Sequence, residues 1–382
     1  MLLNYSDYRK AARYVLPRGL FEYIDRGTED EHALTRIRDD LNAIQLVPRI
    51  FSRPGDLDLS VELFGERYAT PLIIAPTALA GMLAYNGEQK LARAAGRNNL
   101  TYCAATQSVS SIEDIAAGAP DSKLWFQLYY WKNHELTRDL LVRSNAAGIR
   151  TLVVTADTPT GPKREYNQRN RFGVPFEITV RGMIDVLRHP RWFTRVLLRY
   201  LLTSGMPSYG NYPAQFHTPI TRRSIRNDVA LDHALTWNEI ADLRGVWNGN
   251  IIIKGILSAK DAERAASLGM DGIVVSAHGG RNLDIAPTPA RVLPDIRKAV
   301  GKDLCIIADS GVTRGTDILK YLALGADAVM AGRLPLWGLA AADERGAGDV
   351  LAMLIDEMKT AMTMLGANSL IDIQELERTS FT

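Results

Sequence analysis

Eight short apolar runs recur between residues 72 and 330 of this 382-residue chain, and each is continuous rather than alternating with polar residues. Continuous runs are typical of strands buried on both faces of a parallel sheet, because helices cover both sides of such a sheet. The predicted strands are Leu72–Ala75, Thr101–Ala104, Leu124–Leu128, Thr151–Thr155, Ile251–Lys254, Gly272–Val275, Cys305–Ala308 and Ala328–Met330.

Stretches with helical character separate these strands, which indicates repeated β-α units and predicts a (β/α)8 TIM barrel. The predicted helices are Gln89–Gly96, Ser111–Ala116, Glu135–Ala147, Ala259–Leu268, Thr288–Val300 and Thr316–Leu324. A doubly wound open sheet is the alternative fold. No Gly-x-Gly-x-x-Gly sequence follows the first predicted strand, which weakens a dinucleotide-binding interpretation.

Two segments lie outside the repeat, although we treat residues 1–382 as one domain. Residues 1–65 are predicted to form an N-terminal extension of helices and a small β element, ahead of a barrel at 66–365. Residues 160–248 are too long for an ordinary connecting loop. We expect an insertion after the fourth strand, on the face where barrel enzymes keep their active sites.

The composition excludes several classes of protein. Hydrophobic residues make up 46% of a globular chain whose formal net charge is only +2, so it carries no general signature for binding nucleic acid. We identify no signal peptide and no uncharged apolar window long enough for a transmembrane helix. Cys103 and Cys305 both fall in predicted strands, which favours buried thiols in a reducing compartment over a disulfide or a metal site.

Residues 181–213 of the insertion combine basic and apolar residues at helical spacing. Arg191, Arg195 and Arg199 recur every four residues. The opposite side carries Trp192, Phe193, Val196, Leu197 and Leu201. Basic amphipathic helices with aromatic residues lie in membrane interfaces, so we predict an anionic membrane surface as a partner. The alternative is a helix that packs on the barrel or on a neighbouring subunit.

The sequence Ser276-Ala277-His278-Gly279-Gly280-Arg281 directly follows the sixth predicted strand. A base and a guanidinium three residues apart can face one small anionic substrate, and the two glycines allow close approach of a ligand. A buried histidine beside a surface arginine is the structural alternative. Other predicted strands also end in polar residues, which favours an active site: Gln127, Tyr129, Thr155, Asp157, Lys254, Asp309 and Arg333.

Glycine-containing turns follow the seventh and eighth strands, where barrels of this kind commonly bind phosphate. Backbone N–H groups around Gly311 and Gly332, together with Arg333, suit a cofactor with one phosphate. Gln127, Thr155 and Lys254 would then address the polar edge of a planar ring, and a lysine there would stabilise a reduced, anionic flavin.

With these motifs in place, the chain resembles the FMN-dependent (S)-2-hydroxy-acid dehydrogenase and oxidase family. That family includes glycolate oxidase, flavocytochrome b2, bacterial quinone-linked L-lactate dehydrogenase and (S)-mandelate dehydrogenase. The resemblance runs from LPRGLFEYIDRGTEDE to MAGRLPLWGLAA. It implies a (β/α)8 fold, bound FMN, oxidation of a 2-hydroxy acid to a 2-oxo acid, and a homotetramer.

The resemblance also implies roles for individual residues. His278 would be the active-site base, oriented by Asp157. Arg281 and Tyr23 would bind the substrate carboxylate with help from Arg164, and Tyr129 would hydrogen-bond the substrate oxygen. Lys254 would serve both catalysis and the flavin. The expected FMN contacts are Pro76, Thr77, Ala78, Gln127, Thr155, Lys254, Ser276, Asp309, Gly311, Gly332 and Arg333.

The chain departs from the family pattern at three positions. Ala277 replaces the usual asparagine before the histidine, and Ala105, followed by Thr106, replaces a hydroxyl residue near the flavin. Thr313 replaces the usual arginine after the seventh strand. We predict that Arg314, one position further, takes part in phosphate binding instead.

The predicted activity is oxidation of an (S)-2-hydroxy acid with electrons passed to a membrane quinone. The predicted location is peripheral, on the cytoplasmic face of the inner membrane. The KREYNQRNRF sequence resembles the pattern of mandelate dehydrogenase and glycolate oxidase more than that of the bacterial lactate enzyme, which implies a mandelate-like acid, with L-lactate as the alternative substrate. Other possibilities are a soluble cytoplasmic oxidase that releases H2O2, a non-enzymatic membrane scaffold, and a phosphate-binding aldolase- or isomerase-type barrel.

Overall fold

Three helices and two small β elements precede the barrel. The structure is a computed structural model that describes residues 1–52, 55–172, 177, 179–217, 219–221 and 227–379. The chain begins with α1 (Tyr5–Val15), α2 (Arg18–Asp25) and α3 (His32–Ala43). Next come β1 (Gln45–Leu46), which pairs with β12 (Arg378–Thr379) near the C-terminus, and a hairpin of β2 (Val61–Leu63) and β3 (Glu66–Tyr68).

Eight parallel strands then close into a barrel, which confirms the predicted (β/α)8 fold and rules out an open sheet. Nearly every strand residue is buried, as the continuous apolar runs predicted. The strands are β4 (Leu72–Ile74), β5 (Thr101–Ala105), β6 (Lys123–Leu128), β7 (Thr151–Thr155), β8 (Asn250–Ile256), β9 (Gly272–Val275), β10 (Cys305–Ala308) and β11 (Ala328–Ala331). β11 pairs with β4 to complete the closure.

Helices connect the strands, with ends that differ from the predicted ones by at most two residues. The first half contains α4 (Gly87–Arg97), α5 (Ile112–Gly118) and α6 (His134–Ala146). Local sequence explains where several of these helices begin. For example, the Ser111 hydroxyl accepts a hydrogen bond from the Asp114 N–H and so caps α5.

The insertion between β7 and β8 is largely helical. It contains α7 (Glu165–Asn170), α8 (Val180–Arg188), α9 (Pro190–Trp192), a π-helical turn (Phe193–Leu197), α10 (Leu198–Thr203) and α11 (Trp237–Val246). Residues 173–176, 178, 218 and 222–226 of the predicted insertion lie outside the described residues.

The second half of the barrel contains α12 (Ala259–Ser267), α13 (Pro289–Val300), α14 (Gly315–Ala323), α15 (Arg333–Leu365) and α16 (Leu370–Gln374). Helix α15 is interrupted at Ala342 and Asp343, which have non-helical backbone angles.

Side chains fill the inside of the barrel and close its amino-terminal end. Trp125 and Cys103 belong to this inner core, and burial raises the pKa of the Cys103 thiol. The β2–β3 hairpin covers this end, with the rings of Phe64 and Tyr68 centred 5.9 and 6.1 Å from the Trp125 ring. The carboxyl end of the barrel is therefore the end left for a ligand.

Part of the apolar side of the predicted amphipathic helix packs against the rest of the protein. Trp192, Val196 and Tyr200 are buried. The Trp192 indole N–H donates to the Met82 carbonyl, and the Tyr200 hydroxyl accepts from the Asn86 N–H. The prediction that Trp192 and Val196 face a membrane is therefore wrong, because the barrel already covers them.

A different apolar face of the insertion is exposed. Val180, Met183, Ile184 and Leu187 all lie on α8, at the i, i+3, i+4, i+7 spacing of one helix side, and α8 has no buried residue. Leu201 and Leu202 are also exposed at the end of α10. Within the described residues, no helix combines the length and hydrophobicity that a membrane span requires.

Candidate active site

A cavity of about 1270 Å³ opens at the carboxyl end of the barrel. Its walls come from the strand ends, from the N-terminal helices and from the insertion. The sequence-predicted residues that line it are Tyr23, Pro76, Thr77, Ala78, Gln127, Tyr129, Thr155, Arg164, Lys254, His278, Arg281, Asp309, Gly311, Gly332 and Arg333. Asp157 and Ser276 lie directly behind this wall, and Arg314 points away from it.

His278 and Asp157 form a hydrogen-bonded pair. The distance between His278 Nδ1 and Asp157 Oδ1 is 2.9 Å, which leaves Nε2 as the ring nitrogen available to a ligand. Burial opposes ionisation of Asp157, but His278 and Lys254 outweigh it and hold the pKa of that carboxyl below its usual value. Asp157 is therefore an anion at neutral pH and can stabilise a protonated imidazole.

The backbone around His278 is held in an unusual conformation. His278 has φ of +53°, in the left-handed region, and its N–H donates to the Ser276 hydroxyl at 3.0 Å. Asn282 donates to the Asp157 carbonyl at 2.8 Å and to its carboxylate at 3.4 Å, which holds Asp157 in place beside His278. Sequence reasoning missed Asn282, although its place directly after Arg281 was a signal.

Lys254 lies in a buried polar network at the ends of β8, β9 and β10. Its ammonium group is 2.8 Å from Asp309 Oδ2 and donates to the Ser276 hydroxyl at 2.9 Å. Burial disfavours the charged lysine, but Asp309 and Asp157 more than compensate and raise the pKa of Lys254. Lys254 thus presents a permanent positive charge to the cavity.

A second positively charged group of side chains lies nearer the insertion. The Arg281 guanidinium is 5.1 Å from the centre of the Tyr23 ring and donates to the Arg26 carbonyl. Arg164 donates to the Arg281 carbonyl at 3.2 Å. Burial and the nearby Arg281 charge lower the pKa of Arg164 to about 10, so Arg164 stays charged at neutral pH. Two close like charges in a cavity favour an anionic ligand.

Tyr129 lies on the same side of the cavity as a neutral hydroxyl. Burial raises its pKa to about 12, with Asp157 adding to the effect. At neutral pH the phenol keeps its proton and can donate a hydrogen bond to a substrate oxygen.

Two buried polar atoms on the barrel side of the cavity have no partner among the described residues, namely Gln127 Nε2 and Thr77 Oγ1. The amide oxygen of Gln127 already accepts from the Thr106 N–H, so its donor end is the one left free. Buried donors normally have acceptors. A planar ring with carbonyl and nitrogen atoms, such as the flavin of FMN, would satisfy these donors beside Lys254.

Arg333 lies where the predicted phosphate site would be, at the start of α15. It is partly buried and donates to the carbonyls of Ile24 and Gly279. Burial and the Arg281 charge lower its pKa, which again favours a nearby anion. A Cβ added at Gly332 would meet no atom closer than 3.7 Å, so this turn is open to a ligand.

The phosphate role predicted for Arg314 does not fit the geometry. Its guanidinium donates to Glu357 at 2.6 Å on α15, on the outer side of the turn. Arg38 of α3 instead reaches the cavity beside Gly311. Sequence reasoning missed Arg38, because nothing local marks a helical arginine as the neighbour of a turn 273 residues away.

The arrangement places a histidine paired with a carboxylate, two arginines near the insertion and open glycine-containing turns around one cavity, as a base, an anion-binding end and a site for a flat, phosphorylated cofactor would require. Among the described residues, no cluster of three or more histidine, cysteine or acidic side chains could hold a metal ion. The chemistry offered by these side chains is acid–base catalysis next to an organic cofactor.

Comparisons with known proteins agree with this geometry. L-lactate dehydrogenase of Pectobacterium atrosepticum is 42% identical over 371 residues, covering 96% of this chain and 94% of that protein. L-lactate dehydrogenase of Xanthomonas axonopodis pv. citri is 41% identical with the same coverage.

Solved structures give the same result. The monotopic membrane protein (S)-mandelate dehydrogenase superposes with a TM-score of 0.91 at 34% identity, over 98% of each chain. Mandelate oxidase with (S)-2-phenylpropionate superposes with a TM-score of 0.83 at 31% identity, over 99% of each chain. The profile of the FMN-dependent dehydrogenase family matches residues 12–379, and the chain therefore belongs to this family, with FMN as its cofactor.

Proposed function

We propose that this FMN-dependent dehydrogenase oxidises an (S)-2-hydroxy acid to the 2-oxo acid, with His278 as the base. The supporting observation is the 2.9 Å contact between His278 and Asp157 in a cavity that also holds Arg164 and Arg281. The L-lactate and mandelate enzymes that the chain resembles act on 2-hydroxy acids, which fits an oxidoreductase of this class.

In this proposal, each polar side chain has a distinct task. Arg281 binds the substrate carboxylate through its planar fork, with Arg164 and Tyr23 beside it. Tyr129 donates a hydrogen bond to the substrate hydroxyl oxygen. His278 Nε2 accepts a proton from the substrate, and Asp157 stabilises the resulting imidazolium.

The cofactor would be held along the barrel wall. Pro76, Thr77, Ala78, Gln127 and Thr155 would contact the flavin, and the turns at Gly311 and Gly332 with Arg333 would hold the phosphate. When bound, FMN supplies an acceptor for two electrons. Lys254, kept charged by Asp309, would stabilise negative charge on the flavin edge, and Ser276 would position both side chains.

For the substrate side chain, we propose a mandelate-like, bulky group, with L-lactate as the alternative. Gly161 lines the cavity three residues before Arg164, and a Cβ built there meets no atom within 4 Å. Leu231, from the end of the insertion, adds an apolar wall. This open, partly apolar space suits a ring better than a methyl group.

Anaerobic flavin reduction tests the substrate class. Purified yellow protein is mixed with (S)-mandelate, (S)-lactate or glycolate, and bleaching of the flavin absorbance is followed. We expect fast bleaching by the (S)-acids, with mandelate preferred over lactate by kcat/KM. Protein that contains FMN but is bleached by none of these acids would refute the proposed function.

We further propose that the enzyme is peripheral at the cytoplasmic face of the inner membrane and passes electrons to a membrane quinone. The exposed α8 face carries Val180, Met183, Ile184 and Leu187, with Leu187 71% exposed. Exposed arginines flank it at positions 181, 188, 191, 195 and 199. An apolar face beside basic residues fits an anionic lipid surface, and a similar solved structure is of a monotopic membrane protein.

Vesicle co-sedimentation at low salt tests the membrane proposal. Ile184→Glu with Leu187→Glu should leave the protein in the supernatant while its flavin is still reduced by substrate. Ile371→Glu on α16 is the matched control, because Ile371 is nearly as exposed as Leu187 but lies outside the insertion. If wild-type protein fails to sediment with anionic vesicles, a soluble cytoplasmic enzyme is the better account.

The electron acceptor is tested separately. A quinone-linked dehydrogenase should reduce a soluble quinone analogue much faster than oxygen. Rapid H2O2 release on mixing with substrate in air would instead support the oxidase alternative. The proposed assembly is a homotetramer, which sedimentation of the detergent-solubilised enzyme would measure.

A further inference from the structure

Among the described residues, the turn after β10 contributes no arginine of its own to the cavity wall at the expected phosphate end. FMN carries a phosphate with a charge of about −1.5 to −2 at neutral pH, and binding it well calls for more than one cation. Arg333 supplies one guanidinium. On the opposite turn, position 313 is a threonine and Arg314 pairs with Glu357 outside the cavity.

The geometry points to Arg38 of α3 as the second cationic group for the FMN phosphate. Its Nη1 donates to the Gly311 carbonyl at 2.6 Å, and Arg38 lines the cavity together with Gly311, Thr313 and Arg333. The proposal rests on the cofactor of the family and not on which hydroxy acid is oxidised.

Close packing of α3 on the turn explains how Arg38 reaches this place. Gly311 has φ of +82°, and a Cβ there would lie 2.3 Å from the Ile37 side chain. The turn therefore touches α3 directly, and the residue after Ile37 lies beside the turn. Because there is no free space between Gly311 and α3, the packing places Arg38 directly beside the phosphate turn.

The hydrogen bonds of Arg38 leave two donors for a ligand. Nη1 is fully used by Gly311 and by Asp317 Oδ2 at 2.8 Å, and Nη2 donates once to Asn42. Nε–H and one Nη2–H have no partner among the described residues. The Arg38 side chain lines the cavity and is 30% exposed, so its guanidinium is not sealed inside the protein.

Asp317 binds Nη1 of Arg38 and so orients the guanidinium, while the Nε–H and one Nη2–H of Arg38 remain available to a ligand. This buried carboxylate also accepts hydrogen bonds from the Thr313 and Arg314 N–H groups and from the Thr313 hydroxyl. One carboxylate thus connects Arg38 to the phosphate turn. These shared hydrogen bonds hold the guanidinium in a defined position relative to the turn, which preorganises the site.

The contribution of Arg38 to phosphate binding is measured by comparing FMN with riboflavin, which lacks the phosphate. Full-length protein is stripped of flavin, and both dissociation constants are measured by quenching of flavin fluorescence. The ratio of the riboflavin constant to the FMN constant is the phosphate selectivity. For Arg38→Gln we expect that ratio to fall about 10- to 100-fold, as for loss of a charge-assisted hydrogen bond, with riboflavin affinity nearly unchanged.

Two further variants make the test specific. Arg314→Gln is the matched control, and its phosphate selectivity should equal that of the wild type. Adding Thr313→Arg to Arg38→Gln should recover most of the lost selectivity, because the new arginine lies on the same turn.

An unchanged ratio in Arg38→Gln, including equal weakening of both flavins, would overturn the proposal and leave Arg38 a purely structural residue. A fall of the same size in Arg314→Gln would also overturn it. Should Arg38→Gln not fold, Arg38→Lys keeps the ion pair with Asp317 but loses the fork. Its selectivity should then fall, and an unaltered value would again refute the role.

Discussion

The Asp185 carboxylate of α8 accepts a hydrogen bond at 2.7 Å from the backbone N–H of Arg18, the first residue of α2. Helix α2 has no side-chain cap from the residue before it, Pro17. The insertion thus caps the helix that carries Tyr23, whose ring lies under Arg281. The helix with the exposed apolar face is therefore fastened to the substrate-binding end of the cavity.

Asp185→Ala should raise KM for the hydroxy acid while kcat changes little. Loss of the cap should cost about 1 kcal/mol of stability and loosen the first turn of α2, so Tyr23 becomes less well positioned. Steady-state kinetics with a soluble dye acceptor measure the effect, and Asp185→Asn, which keeps an acceptor oxygen, is the control. A lower melting temperature with unaltered KM would mean that loss of the cap destabilises the fold without affecting substrate binding.

His278→Gln should retain FMN but lose turnover by at least about 10²- to 10⁴-fold, the usual cost of removing a general base. The visible flavin spectrum checks the cofactor, and the rate of flavin bleaching by substrate checks the chemistry. Near-normal bleaching would exclude His278 as the base.

Arg281→Lys should weaken binding of the acid by about tenfold or more, since a point charge replaces a planar fork. Titration of the flavin absorbance with the substrate gives its dissociation constant. The neutral amide of the same acid serves as the control ligand. Equal losses for the acid and the amide would contradict carboxylate recognition by Arg281.

Gly161→Leu should lower kcat/KM for mandelate relative to lactate by about tenfold, because the new side chain occupies the space assigned to the ring. Gly245→Leu is the matched control, since position 245 is equally open but lies on α11 outside the cavity. Equal changes in kcat/KM for the two acids in Gly161→Leu would show that the substrate side chain does not bind beside Gly161.

Stability in acid should depend on Asp40, which joins α3 to α13. Burial opposes its charge, but hydrogen bonds from Arg291 at 2.7 Å and from Thr288 outweigh it and hold the Asp40 pKa below its usual value. A carboxyl with a lowered folded pKa stabilises the fold above the unfolded pKa of about 4, and this contribution is lost as pH falls through the folded value.

Asp40→Asn should therefore melt at a lower temperature than the wild type at pH 7, and the difference should shrink as pH falls below about 4. Thermal melts of both proteins across this range measure the difference. A gap that stays constant down to pH 3 would show that the ionisation of Asp40 does not contribute.

The sequence by itself determined the barrel and most of the cavity wall. Burial on both faces makes each strand a continuous apolar run, and the carboxyl ends of parallel strands must meet at one end of a barrel. Polar residues at or shortly after the ends of those runs, such as Thr155, Lys254 and His278, were therefore predictable as neighbours. These are local patterns combined with a topology that the repeat itself specifies.

Only the tertiary structure decided where long side chains from other segments point. The local sequence does not show which of Arg314 and Arg38 reaches the cavity. In the structure Arg314 pairs with Glu357, whereas Arg38 donates to the Gly311 carbonyl. Periodicity marked Trp192 as apolar but did not distinguish a barrel surface from a membrane, and the free apolar face proved to lie on α8. Helical spacing shows which residues share a side, whereas the partner of that side depends on packing between segments distant in the chain.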